Sequence, residues 1–234
     1  MAMNNFNENI ISPFKLNKII NDEKLKIIDC RWYINDKKKG EEEYKKGHIP
    51  GAIFFDLEKN SDLNNPIPHM LPKKQKFISF LEKNEITPND DLVIYDQVGF
   101  FCSSRVWFTF IYYNFKSIKI LNGGIKFWKE NNFIVNNQKN TAFKKKTIKL
   151  EEKKMIVVDK EYVKKKIKDK KTLIIDARSR NRFLGLEEEP RKNLKRGNIP
   201  SSVNIPFTSL VDKNGKFLGK SVLKKKLKKK LIFP

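Results

Sequence analysis

The amino-acid sequence predicts an α/β protein of two tandem domains, each with a mainly parallel central sheet flanked by helices. Short apolar runs alternate with helical patterns, which is typical of parallel strands covered on both faces. In addition, one design occurs twice. KIIDCRWY and GHIPGAIFFDL, between residues 26 and 57, return as LIIDARSR and GNIPSSVNIPF between residues 173 and 207.

The spacing of the two copies indicates a duplicated domain. Asp176 lies 147 residues after Asp29, a period too long for a solenoid repeat. We therefore expect a first domain over 1–135, a lysine-rich linker over 136–154 and a second domain over 155–234. The second copy lacks the last strands and helices of the first, so we expect an incomplete second domain in this chain.

The amino-acid composition limits the classes of function to consider. A chain of 234 residues with 39% hydrophobic residues can bury a core. The net charge of +23 raises the question of nucleic-acid binding. However, the lysines are scattered or in simple runs, with no aromatic-interleaved basic stripe, and the wealth of Asn, Ile and Phe indicates AT-biased codons. We expect no nucleic-acid partner, and a positive surface that attracts small anionic substrates.

Location and cofactors follow from what the sequence lacks. No basic segment precedes an apolar one at the N-terminus, and no apolar run approaches membrane-spanning length, so we expect a cytoplasmic protein without membrane contact. Two cysteines and two histidines in unrelated positions predict neither a disulfide framework nor a metal site. No cofactor is expected, and the oligomeric state is not indicated.

In the first domain, strand and helix patterns alternate. The predicted helices cover 10–21, with Ser12 as N-cap and Pro13 in the first turn, then 74–83, 102–114 and 125–131. The predicted strands cover 25–30, 52–56, 91–96 and 117–121. We interpret 37–46 as a charged, solvated segment and 61–72 as a loop.

The second domain restarts the same order. We predict a helix over 159–168, a strand over 173–177, an arginine-rich loop, and a turn at 197–200 that leads into another strand. The final element, 220–231, has leucines spaced for a helix with one apolar stripe and one lysine face.

Taken together, these motifs resemble the tandem-domain rhodanese family, the thiosulfate and 3-mercaptopyruvate sulfurtransferases. The resemblance covers nearly the whole chain and rests on IIDCRWY, GHIPGAIFFDL, PHMLP, YDQVGFFCSSRVWF, LNGGIKFW, IIDARSRNRFLG, EEPR and GNIPSSVNIPF. It implies two rhodanese modules and the transfer of a sulfane sulfur, through a cysteine persulfide, from a small anionic donor to a thiol or cyanide acceptor. A non-catalytic binding module that keeps this architecture is the alternative.

The resemblance also implies where the nucleophile lies. The first domain of the family is usually non-catalytic, with an acidic residue, here Asp96, in the place of the cysteine. The cysteine loop of the second domain is expected after Pro234, so this chain should not turn over. We interpret Cys102 as a small buried residue in an apolar helix, and Cys30 as a packing residue because the second copy has Ala177 there.

Two arginines are the predicted substrate contacts. Two planar guanidinium groups on one loop can hold a carboxylate. By resemblance, Arg182 and Arg191 match the pair that binds the donor carboxylate of mercaptopyruvate enzymes, and the Pro190-Arg191 sequence favours mercaptopyruvate over thiosulfate, the second donor to consider. The alternative is that both are surface arginines paired with the glutamates at 187–189.

Two auxiliary residues complete the predicted site. By resemblance, His69 in PHMLP reaches over the active site and relays a proton or positions the substrate, a role suited to imidazole. Its partner carboxylate is expected at Glu58, where the family usually has aspartate. We interpret His48 and its counterpart Asn198 as turn residues. Asp29 and Asp176 we interpret as paired structural charges.

Overall fold

The computed structural model describes residues 9–138, 147–153, 156–190 and 194–230. The chain divides into two compact units. The first comprises Met1–Lys154 with Asn214–Lys216, and the second comprises Met155–Lys213 with Phe217–Pro234. No helix in the described ranges is sufficiently long and apolar to cross a membrane.

The first unit has a five-stranded sheet in which every recorded pairing is parallel, in the order β1-β5-β4-β2-β3. The strands are β1 Ile10–Ile11, β2 Leu25–Asp29, β3 Ala52–Phe54, β4 Asp91–Tyr95 and β5 Ile118–Leu121. In the register of β2 and β4, Asp29 lies opposite Tyr95. The loops that follow these two strands therefore lie together at the carboxyl ends of the strands, which is where open parallel sheets bind ligands.

Helices cover both faces of this sheet, as the apolar strands predict. They are α1 Pro13–Ile19, α2 Lys39–Lys46, α3 Lys74–Lys83, α4 Ser103–Tyr112 and α5 Gly124–Glu130. Neighbouring residues of one strand point to opposite faces. Accordingly, Ile28 belongs to the core that α3 and α4 cover, through Phe77 and Phe110. Ile27 belongs to the core that α1 and α5 cover, through Leu16 and Trp128.

The start of the chain differs from the predicted helix over 10–21. Ser12 accepts a hydrogen bond from the Lys15 amide at 3.2 Å, and proline follows it, so α1 begins only at Pro13. The two residues before the cap, Ile10 and Ile11, instead form the edge strand β1 along β5. Sequence periodicity cannot separate two apolar residues of a strand from the helix that follows them.

The charged segment 37–46, expected to be solvated and without a helix, contains helix α2. The Asp36 carboxylate accepts the amides of Lys38 and Lys39, both at 3.1 Å, before the helix starts. Glutamates occupy its first turn and lysines its last turn, which suits the helix dipole. Tyr44 is its one large apolar residue, so the apolar stripe that identifies a helix is absent from the sequence.

The second unit contains α6 Lys160–Lys166, β6 Ile175–Asp176, α7 Arg180–Leu184, β7 Val203–Asn204, a 3-10 helix over Phe207–Leu210 and α8 Lys220–Lys230. Strands β6 and β7 pair in parallel. The predicted arginine-rich loop contains α7, which Ser179 caps by accepting the Arg182 amide at 3.2 Å. Strand β6 is shorter than the predicted 173–177.

Part of the predicted linker lies along the first unit. Residues 139–146 and 154 are outside the described ranges. In the described part, Ile148 and Leu150 are buried in the core that contains α3 and α4. The Lys153 amide donates to the Tyr112 carbonyl at 2.8 Å, at the end of α4.

Candidate active site

An ion pair after β2 anchors the loop that carries the first unit's site residues. The Arg31 Nε donates to both Asp29 oxygens, at 3.1 and 3.0 Å, and Nη2 donates to the Gly47 carbonyl at 2.9 Å. The Tyr95 hydroxyl donates to Asp29 at 2.7 Å. Glu43 of α2 lies 3.5 Å from Arg31 Nη1. Burial is nearly complete, with exposed side-chain fractions of 1% for Arg31 and 0% for Asp29.

The second unit repeats this arrangement in a more exposed form. Arg178 Nε donates to both Asp176 oxygens at 3.0 Å, Nη2 donates to the Gly197 carbonyl at 2.7 Å, and Nη1 donates to Glu189 at 2.6 Å. The exposed side-chain fractions are 28% for Arg178 and 13% for Asp176. The interpretation of Asp29 and Asp176 as paired structural charges is confirmed.

Arg182, predicted as a substrate contact, lies on α7 and binds Glu189. Its Nε donates to Glu189 Oε2 at 3.1 Å, and its Nη2 contacts the same oxygen. Arg182 is 28% exposed at its side chain, whereas Glu189 is 3% exposed. The hydrogen bonds from Arg182 outweigh burial and lower the pKa of Glu189, with Arg178 adding to the effect. Arg191, the second predicted contact, lies outside the described residues.

Glu189 has a counterpart in the first copy, but Arg182 has none. In the first unit, Glu43 accepts from Arg31 at 3.5 Å and from the Tyr33 hydroxyl at 2.8 Å. A neutral tyrosine therefore takes the place that the second arginine takes in the second unit. The pairing of Arg182 with a glutamate of 187–189 is the contact that the alternative interpretation predicts.

The predicted pair of auxiliary residues is in direct contact. His69 Nε2 lies 2.8 Å from Glu58 Oε1, and both side chains are partly buried, at 17% and 24% exposed. Two further donors reach Glu58: the Trp32 indole Nε1 at 2.8 Å, on the same oxygen, and Lys37 Nζ at 3.2 Å from the other oxygen. Glu58 therefore contacts His69 although its side chain is one methylene longer than the aspartate that the resemblance implies.

This arrangement sets the tautomer of His69. Partial burial alone would raise the pKa of Glu58, but hydrogen bonds from His69, Trp32 and Lys37 outweigh it and lower that pKa. Because an ionised carboxylate only accepts hydrogen bonds, imidazole Nε2 carries the hydrogen. Nδ1 is then the ring nitrogen that can take up a proton.

Two residues of this site were not predicted from the sequence. Trp32 donates to Glu58 and lies with its ring 4.9 Å from the His69 ring, edge to face. Arg105 of α4 donates to the His69 carbonyl from Nε at 3.1 Å and from Nη2 at 2.6 Å. Both are aromatic or charged residues inside motifs quoted above, but no spacing rule connects them to residues 58 and 69.

The lowered pKa of Glu58 gives a pH prediction. The stabilising contribution of Glu58 should be complete above its ordinary pKa of 4.5 and should be lost as pH falls through the lowered folded value. The indole N–H signal of Trp32 in a 1H–15N spectrum should follow this transition. Glu58→Gln should abolish the pH dependence of that signal, and a midpoint at or above 4.5 would contradict the assignment.

Asp96, the predicted counterpart of the cysteine, fills a ring of backbone amides. Its carboxylate accepts hydrogen bonds from Val98 at 2.9 Å, Gly99 at 2.6 Å, Cys102 at 2.8 Å and Ser103 at 3.0 Å. Asp96 is completely buried. Cys102 directly precedes α4 and Ser103 is its first residue, so the helix dipole also favours negative charge here.

Neither cysteine is a reactive thiolate. Cys30 is completely buried and Cys102 is 3% exposed. Burial, contact with Cys102 and nearby carboxylates raise the pKa of the Cys30 thiol well above its ordinary value. For Cys102, a hydrogen bond with Cys30 acts in the opposite direction, but burial and Asp96 raise the pKa. Cys102 directly precedes α4 rather than lying inside it, and its burial agrees with the prediction.

His48 is a turn residue, as predicted. Its Nδ1 lies 2.8 Å from the Tyr44 carbonyl and its Nε2 lies 3.1 Å from the Gln138 carbonyl. In the second copy, Asn198 Nδ2 donates to the Phe183 carbonyl at 2.9 Å. Both side chains tie the turn to the helix before it.

Comparison with known proteins places this geometry in context. The family model described as "Rhodanese-like domain" matches residues 12–131 and 159–233. The chain is 31% identical over 247 residues to thiosulfate/3-mercaptopyruvate sulfurtransferase 2 of Arabidopsis thaliana, covering 97% of the chain and 72% of the relative. It is 32% identical to 3-mercaptopyruvate sulfurtransferase of Escherichia coli K12, covering 82% of the chain and 69% of the relative.

Solved structures give the same result. The crystal structure of the 3-mercaptopyruvate sulfotransferase SseA from Escherichia coli superposes with a TM-score of 0.85 at 27% identity, covering 95% of this chain and 84% of that one. Tum1 from Saccharomyces cerevisiae superposes with a TM-score of 0.82 at 30% identity, covering 95% and 79%. The chain spans 63% to 72% of the length of the two Arabidopsis thaliana relatives.

Proposed function

Because this chain belongs to the rhodanese family, we propose that it acts in a 3-mercaptopyruvate sulfurtransferase. The enzyme moves the thiol sulfur of 3-mercaptopyruvate to a thiol or cyanide acceptor and leaves pyruvate. A cysteine persulfide carries the sulfur between the two half-reactions. Curated relatives named 3-mercaptopyruvate sulfurtransferases, found in bacteria and eukaryotes, support this proposal.

The donor assignment rests on the contacts and the exposure of Arg182. Its contacts with Glu189 use Nε and Nη2 on a single oxygen, and the side chain is 28% exposed. Within the described residues, Nη1 is therefore available for a donor carboxylate. Arg191 is proposed as the second guanidinium of this carboxylate site, on the strength of the EEPR motif.

The proposed chemistry gives His69 and Glu58 a defined task. A thiolate attacks the sulfur of mercaptopyruvate, the carbon–sulfur bond breaks, and its electron pair leaves as the enolate of pyruvate. The enolate then needs one proton. His69, held by Glu58, relays that proton through Nδ1.

The nucleophile itself is not one of the two cysteines of this chain. Both thiols are buried, and the pKa of each is raised, which disfavours the thiolate that this reaction requires. We propose that the sulfur is carried by a cysteine that is not among the residues of this chain. By resemblance, Asp96 of the first unit occupies the loop that carries this cysteine in the second domain of the family.

Two alternatives have specific support. Thiosulfate is the second candidate donor, because both Arabidopsis thaliana relatives are named for thiosulfate as well as mercaptopyruvate. A non-catalytic binding or regulatory module is the other candidate, because neither thiol of this chain is accessible. The domain boundaries 1–135, 136–154 and 155–234, and a cytoplasmic location, stay predictions; one relative is named a mitochondrial protein.

The test starts from the coding sequence beyond residue 234. A frame that encodes a strand and a Cys-Gly-Ser-Gly type of loop supports the enzyme, and a stop codon there supports the module.

In the longer product, Arg182→Ala should lower kcat/KM for mercaptopyruvate by about 10- to 100-fold, which is the usual effect of losing a hydrogen bond to a charged group, and should affect thiosulfate less.

A control uses the 234-residue chain in a cyanolysis assay with both donors side by side. We expect no turnover with either donor. Turnover that survives Cys102→Ala would contradict the assignment of the nucleophile. Equal losses for both donors in Arg182→Ala would contradict the role of Arg182 as a carboxylate contact.

A further inference from the structure

His69 is held at two separate points, its side chain and its backbone. Its imidazole is tied to Glu58, whereas its carbonyl is tied to Arg105. The backbone of His69 has φ of 60°, in the left-handed region that non-glycine residues avoid. Such a conformation persists only where surrounding contacts maintain it.

Trp32 fixes the carboxylate side of the pair. Its indole N–H and the His69 Nε2–H converge on one oxygen, Glu58 Oε1, each at 2.8 Å. The Trp32 carbonyl in turn accepts the side-chain amide of Gln97 at 3.0 Å. Phe101 stacks on the indole ring with centroids 6.3 Å apart. The indole is therefore set in place by contacts on its backbone and on its ring.

The glutamate makes this support necessary. Glu58 has one more rotatable bond than an aspartate, so an unsupported carboxylate would spread over more rotamers and leave His69 without a fixed partner. The indole N–H selects one of these rotamers. Lys37, which binds the other oxygen, is 69% exposed and contributes little to that selection.

Arg105 holds the backbone of His69. Both recorded donors of its guanidinium converge on one acceptor, the His69 carbonyl, at 3.1 and 2.6 Å. No carboxylate pairs with Arg105 among the described residues, and burial lowers its pKa. A partly buried cation without an acidic partner loses part of its hydration, and the hydrogen bonds to this carbonyl compensate for that loss.

We propose that Trp32 and Arg105 are positioning residues that hold the Glu58–His69 pair, Trp32 through the carboxylate and Arg105 through the histidine backbone. This inference rests on the proposed function, because it concerns the proton relay assigned to His69. Both residues would orient the His69 imidazole so that its Nδ1 can carry the proton. Neither is assigned a contact with the substrate.

The test for Trp32 uses Trp32→Phe, which keeps an aromatic ring beside His69 and removes only the indole N–H. Trp107→Phe is the matched control, since it removes an indole N–H that donates to the Ile118 carbonyl at 3.4 Å. The chain has two histidines, so imidazole 1H–15N spectra contain His69 and one internal reference, His48.

We expect Trp32→Phe to lower the ratio of Nε2–H to Nδ1–H tautomer at His69 about tenfold, the worth of roughly one hydrogen bond. The His48 signals should not change, and Trp107→Phe should leave both histidines unchanged. A wild-type tautomer ratio in folded Trp32→Phe would overturn the role of Trp32.

The test for Arg105 uses Arg105→Lys, which keeps the charge but replaces the two-pronged donor with a single ammonium. Arg180→Lys, at an exposed position of α7, is the matched control. We expect amide hydrogen exchange at residues 69 and 70 to become about tenfold faster in Arg105→Lys, with the tautomer ratio at His69 also reduced. Unchanged exchange there would overturn the role of Arg105.

These readouts separate the two proposals. Neither spectrum depends on sulfur transfer, so a changed tautomer ratio in a protein without sulfurtransferase activity would contradict only the proposed function. An active enzyme whose Trp32→Phe and Arg105→Lys variants keep the wild-type spectra would contradict only the positioning roles.

Discussion

Replacing Asp29 by alanine should destabilise the first unit by about 3–5 kcal/mol, the usual effect of breaking a buried ion pair. The substitution leaves Arg31, with 1% of its side chain exposed, without the carboxylate that accepts three of its hydrogen bonds. The Tyr95 hydroxyl loses its acceptor as well. Hydrogen exchange resolved by unit is the suitable measurement, because two units need not unfold together.

The chain contains its own control for this effect. Asp176→Ala breaks the same arrangement in the second unit, where Arg178 is 28% exposed and lies 2.6 Å from Glu189, compared with 3.5 Å between Arg31 and Glu43. Solvent and the second carboxylate can compensate there, so we expect a smaller loss, on the order of 1 kcal/mol. Equal losses at Asp29 and Asp176 would show that burial does not determine the worth of this ion pair.

Replacing Asp96 by alanine should have the second large effect, a loss of about 3 kcal/mol or more in the first unit. The four amides that now donate to its carboxylate would lose their acceptor. Three of them, those of Gly99, Cys102 and Ser103, are buried, and each buried unsatisfied donor costs about 1–3 kcal/mol. Relaxation of the loop and entry of water reduce the total below the simple sum.

The control is Asp36→Ala. The Asp36 carboxylate also accepts two backbone amides, those of Lys38 and Lys39, but it does so in solvent. Water can replace it, so we expect a loss of about 1 kcal/mol, typical of a helix cap. A loss at Asp96 no larger than that at Asp36 would contradict the view that burial makes the amide ring dependent on its carboxylate.

The parts of the fold that could be predicted are those with a local cause. Strand β2 has three apolar residues, Leu25, Ile27 and Ile28, in five, and α3 has apolar residues at helical spacing, so both can be predicted from the apolar pattern. The repeat also made one contact predictable without a structure. Because Asp29 and Asp176 each precede an arginine by two residues in matching motifs, the ion pair in one copy implied the ion pair in the other.

The parts that could not be predicted depend on contacts between distant segments. Helix α2 has almost no apolar stripe, and its Gly40 lies where a Cβ atom would be 2.0 Å from the Arg31 carbonyl oxygen. Trp32 and Arg105 reach residues 58 and 69 only once the sheet has brought the loops together. Resemblance predicted the Glu58–His69 contact, but it did not predict what supports that contact.

The amide ring around Asp96 has one further consequence. A carboxylate tethered in its own receptor has an effective concentration that dissolved anions do not reach at physiological levels. We therefore expect thiosulfate, sulfite and phosphate not to displace Asp96 from this loop. Substitution by a shorter residue would remove that competitor and turn the loop into an anion receptor open to exchange.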